Sequence, residues 1–68
     1  NNASIEIQNS KLFHNVVQGI LEVFEEHKKT PTYKDLSFMI LEVYQYSVEN
    51  NNEEADKSFM TWLYSRNF

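Results

Sequence analysis

The chain has 68 residues, a formal net charge of −4 and no Cys. One small domain is all this length allows, and its core is marginal enough that a second copy or another partner is expected to add stability. The missing Cys excludes disulfides and thiolate metal sites, and the acid excess excludes a uniformly basic surface. His14 and His27 stand far apart with no Asp or Glu cluster around both, so no metal or cofactor is expected. Within these residues there is no apolar run of about 18 and no signal-peptide pattern. The opening Asn1-Asn2-Ala3-Ser4, without an initiator Met, suggests a piece of a longer protein whose anchor or targeting segment would lie upstream.

Residues 1–9 are polar and weakly patterned. A linker or frayed segment is expected there, with Ile5 and Ile7 able to touch the body, and residues 10–68 form the domain. Ser10 is the expected N-cap of a first helix over roughly 11–28. Leu12, Phe13, Val16, Val17, Ile20, Leu21, Val23 and Phe24 recur at helical spacing, and Lys11, Asn15, Gln18, Glu22, Glu25 and Glu26 take the other face. Gly19, at the edge of the apolar stripe, invites a close helix contact at a cost of about 1 kcal/mol relative to Ala.

Thr30-Pro31-Thr32 ends that helix and begins the next, because Pro31 disfavours helical geometry at Thr30. Thr32 and Asp35 have capping-box spacing. The second helix is predicted over roughly 33–49, with Leu36, Met39, Ile40, Val43 and Tyr44 as its core stripe. Leu41, Tyr46 and Val48 widen the apolar arc to roughly 220°, with Phe38 outside it. So wide an arc asks for a second buried surface, most simply a symmetric dimer interface. Asn51 or Asn52 is the expected cap of a third helix over roughly 53–66, with Glu53 and Glu54 in its first turn and Ala55, Phe59, Trp62 and Leu63 as its stripe. Met60 falls at the margin of that stripe, and Tyr64 and Ser65 project towards solvent. The expected fold is all-α, a three-helix protomer.

Raw material for catalysis is poor, and an enzyme is not expected. His14 lies on a polar edge, His27 sits at the negative end of the first helix, and the single Gly excludes a Gly-rich phosphate loop. The candidate nucleic-acid-binding residues are Lys28, Lys29, Lys34, Lys57 and Arg66. Lys28, Lys29 and Lys34 flank one turn, where they either complement the helix dipole or clamp phosphates. Arg66 either contacts phosphate or pairs with a first-helix acid such as Glu22. The candidate dimer interface takes Phe38, Leu41, Tyr46, Val48, Trp62, Leu63 and Phe68, with core as the other reading of Trp62.

The order of elements, and above all Met60-Thr61-Trp62-Leu63-Tyr64-Ser65-Arg66-Asn67, resembles a homeodomain and its recognition helix. Ser65 stands where that family has its adenine-reading Asn, the following basic cluster is reduced to Arg66, and the basic N-terminal arm is missing. Base-specific readout is therefore not expected. The span beginning Asn1-Asn2-Ala3-Ser4, the acidic helices and the diverged Met60–Phe68 segment are also similar to the C-terminal domain of the membrane-associated DNA-replication organisers of protein-primed Bacillus phages. This resemblance implies a homeodomain-related protomer that dimerises into an intertwined six-helix body. It implies non-sequence-specific binding of single- and double-stranded DNA, with dimers associating further on the DNA. It also implies an upstream membrane anchor and coiled coil, which tether replicating phage DNA and its terminal protein to the cytoplasmic face of the host membrane. The rival expectation is a helical protein–protein docking module, such as a phage regulator of a host protein, that binds no nucleic acid.

Overall fold

The computed structural model describes residues 9–68; the expectations for Ile5, Ile7 and the rest of residues 1–8 lie outside the described residues. Among the described residues the chain is all-α, with α1 (Ser10–Glu26), α2 (Tyr33–Glu49) and α3 (Lys57–Asn67), each packed on the other two.

Helix ends follow local hydrogen bonding. Asn9, not Ser10, caps α1: its side chain accepts from the Leu12 N–H at 3.0 Å. Both residues are good caps, and the Asn takes the role one position earlier. At the other end α1 stops at Glu26, short of the predicted 28. The Lys29 N–H bonds the Phe24 carbonyl at 3.0 Å and the Lys28 N–H bonds that of Glu25 at 2.9 Å. This is a Schellman closure, with Lys28 in the left-handed region at φ 54. α2 has the predicted limits, and both halves of the Thr32–Asp35 capping box are present.

The start of α3 differs from the expectation. Asn51 (φ 55) and Asn52 close α2 in a second Schellman motif, donating to the Val48 and Ser47 carbonyls at 3.1 and 2.9 Å. Neither caps α3, which begins only at Lys57. Asp56 caps it instead, accepting from the Phe59 N–H at 3.1 Å, so Glu53, Glu54 and Ala55 lie in the connection. That connection is fastened to α1 by Asn15, whose side-chain oxygen accepts from the Ala55 N–H at 2.6 Å.

The core comprises Leu12, Val16, Ile20, Val23 and Phe24 of α1, Met39, Val43 and Tyr44 of α2, and Met60, Leu63 and Tyr64 of α3. Phe13, Leu36, Ile40, Ala55 and Phe59 pack around it. Ser47 is fully buried and satisfied, donating its hydroxyl to the Val43 carbonyl at 2.9 Å. As predicted, Leu63 is buried and Ala55 and Phe59 pack against the core, but the buried face of α3 is shifted away from Trp62. Met60 and Tyr64 are buried, whereas Trp62 is 53% exposed. Gly19 accommodates this arrangement. The Met60 side chain lies in the space a Cβ would occupy there, with Sδ 2.9 Å from that position. The close contact expected of Gly19 is thus filled by one α3 side chain.

Candidate nucleic-acid interface

The connection between α1 and α2 carries the densest group of candidate phosphate-binding residues. Its geometry starts with Lys28. A non-Gly residue in the left-handed region costs roughly 1–2 kcal/mol, and the position after a helix C-cap is where Gly is usual. Lys28 occupies it here, and both its hydrogen bond and that of Lys29 fix the two lysines to the end of α1. Lys34 lies in the first turn of α2, beside helix N–H groups that favour anions. From Lys29 to Lys34 the backbone spans at most about 18 Å, so the three residues stand where α1 ends and α2 begins.

An open groove of about 540 Å³ runs beside this turn, lined by Leu21, Phe24, Glu25, Lys28, Lys29, Thr30 and Pro31. Its floor is apolar and its rim carries both lysines. Lys29 also extends towards Phe68, its Nζ 6.0 Å from the ring centroid. Glu25 is the acid on this rim. Among the described residues, ion pairs within 4.0 Å involve Lys57 alone, leaving Lys28, Lys29 and Lys34 without one.

Lys57 and Arg66 are committed elsewhere. Lys57 opens α3 and pairs with Glu22 at 3.8 Å and Glu26 at 3.5 Å. It offsets two α1 acids while standing at a helix N-terminus that disfavours a cation. The predicted alternative pairing of Arg66 with Glu22 is not formed; Lys57 has that partner. Arg66 lies over the Trp62 ring, 5.1 Å from its centroid.

The candidate interface residues divide into four groups. Phe38, Leu41 and Val48 are 38%, 40% and 49% exposed, on a stripe of α2 roughly opposite its core face at about 100° per residue. Leu63 belongs to the protomer core, at 6% exposure, and Tyr64, expected at the surface, is buried there too. Tyr46, Phe59 and Trp62 form a ladder between α2 and α3. Tyr46 and Phe59 stack with centroids 3.9 Å apart, and Phe59 and Trp62 with centroids 5.8 Å apart. Tyr46 is thereby partly covered within the protomer, and Trp62 ends the ladder at the surface. Phe68 packs edge-on against Phe24 at 5.3 Å and stays 42% exposed.

Among the described residues no group of three or more His, Cys, Asp or Glu could hold a metal ion, and no helix is long and apolar enough to cross a membrane. His27 Nδ1–H donates to the Val23 carbonyl at 2.8 Å, and its ring stacks on Tyr64 at 4.3 Å, which gives it a structural position. Sequence reasoning passed over Tyr33, the first residue of α2, which is 88% exposed beside Lys34. The signal available was its place directly after the Thr32 cap, where no preceding turn exists to cover it.

No protein-family model, curated protein or solved structure matches the chain.

Proposed function

We propose that this chain is a DNA-binding domain that grips phosphates without reading sequence, and that it works as a dimer. The observation that carries the proposal is the turn itself. Lys28, Lys29 and Lys34 flank it, none of them in an ion pair among the described residues, and Lys28 holds a left-handed position where Gly would cost less. A strained cation retained at a helix end, beside two other cations, suits a phosphate contact better than packing. Lys57 and Arg66 contribute less in this reading, since each already has a partner.

The dimer rests on the second apolar face of α2, joined by the Trp62 end of the aromatic ladder. A protomer of net charge −4 offers few phosphate contacts, so several copies must act together on one DNA. The wider proposal follows the resemblance to phage replication organisers. Dimers multimerise along single- and double-stranded DNA, and an upstream segment holds the assembly, with the terminal protein on the DNA, at the inner face of the host membrane.

Replacing Lys28 and Lys29 together by Ala tests the grip: DNA affinity should fall while the circular dichroism spectrum is unchanged. Unchanged affinity removes the turn from the interface. A second reading, a protein-docking module, is favoured by the exposed stripe of Phe38, Leu41 and Val48. Phosphate binding weakens steeply as salt rises, whereas apolar docking responds little.

A further inference from the structure

Tyr33 is 88% exposed at the start of α2. Among the described residues every other Phe, Tyr and Trp except Phe38 lies in a ring–ring contact. Phe38 is accounted for by the α2 stripe. Tyr33 lies about 140° round the helix from Phe38, about 80° from Leu41 and about 60° from Val48, and it precedes all three by more than a helical turn along the axis. Lys34 follows Tyr33 directly, and Lys28 and Lys29 stand across the Thr30-Pro31 turn. An aromatic face open to solvent is thus flanked by cations on both sides in the chain.

We infer that Tyr33 is a stacking site for an unpaired base, making this turn a grip for single-stranded nucleic acid. The inference rests on the phosphate-binding reading of the same turn and adds a preference for one form of DNA. Every base offers a π-face, so stacking needs no particular sequence. In a duplex those faces are already stacked on their neighbours, and Tyr33 has nothing to meet except at an end. Lysines on each side hold the phosphates that flank the stacked base, and the N-terminal position of Tyr33 keeps its ring clear of the helix bundle.

The test compares Tyr33→Ala and Tyr33→Phe with the parent chain, by anisotropy of a labelled oligothymidylate and of a long, fully paired duplex without a loop. Lys28→Ala/Lys29→Ala is titrated alongside. Tyr33→Ala should lose about 5- to 150-fold in affinity for the oligothymidylate. Its affinity for the duplex should stay within about twofold, and Tyr33→Phe should bind both as the parent does. Equal loss on both DNAs, or loss on neither, overturns the stacking role. The lysine variant separates the two proposals. If it weakens both DNAs while Tyr33→Ala weakens neither, the phosphate grip stands and the stacking site falls. If the lysine variant weakens neither, the phosphate grip itself is wrong.

Discussion

Lys28 offers a test in which charge and backbone strain separate. Its φ of 54 lies in the left-handed region, at a cost of roughly 1–2 kcal/mol for a residue with a Cβ. Gly removes that cost but loses roughly 0.5–1 kcal/mol through its freer unfolded chain. Lys28→Gly should therefore be more stable than Lys28→Ala by about 0.5–1 kcal/mol, because both have lost the ammonium group and only one keeps the strain. For a domain of this size that difference is about 2–8 °C in melting temperature. DNA affinity should behave differently. Both variants should lose the same amount, and the slope of log affinity against log salt should flatten by about 0.9 for each phosphate contact removed. Thermal melts and DNA titrations at several salt concentrations read both quantities. If Lys28→Ala melts no lower than Lys28→Gly, the left-handed Schellman closure is wrong. If affinity follows stability rather than charge, Lys28 supports the fold and does not touch phosphate.

Asn15→Ala removes the acceptor of the half-buried Ala55 N–H and should cost about 1 kcal/mol in urea unfolding, loosening the connection before α3. Trp62→Ala should keep the helical content of the protomer, since the ring is 53% exposed, but sediment as a monomer. A variant that unfolds, or remains as dimeric as its parent, contradicts that assignment. Lys57→Ala breaks two surface ion pairs and should cost at most about 1 kcal/mol. Its direct loss of DNA affinity should be smaller than that of Lys28→Ala, and the reverse order would put Lys57 at the centre of the interface.

The sequence was most legible where local chemistry was unambiguous. Pro31, Thr32 and Asp35 define the start of α2, and the helix runs from Tyr33 to Glu49 as predicted. The errors arise where two residues of similar capping ability compete. Asn9 and Ser10 both suit the start of α1, and Asn51 and Asn52 are used to finish α2 rather than to start α3. The face of α3 was harder, because Phe59, Met60, Trp62, Leu63 and Tyr64 surround the helix and periodicity alone does not choose among them. Met60 fills the gap at Gly19, and that is a contact between residues distant in the chain. Lys28 and Lys29 were identifiable as a pair at a helix end. The left-handed backbone at Lys28 was not, since Gly is the residue that ordinarily announces such a turn. The exposure of Leu41 and Val48 accords with an apolar arc too wide for one partner, an arc that left Phe38 outside it and took in Tyr46, which Phe59 partly covers.

The most direct test of the phosphate grip is a titration of this chain with random-sequence DNA at about 50 and about 200 mM salt, with sedimentation of the free protein alongside. A dimer that binds cooperatively at the lower salt and loses most of its affinity at the higher one is the predicted result. A protein that binds no DNA at the lower salt, or binds equally at both, contradicts it.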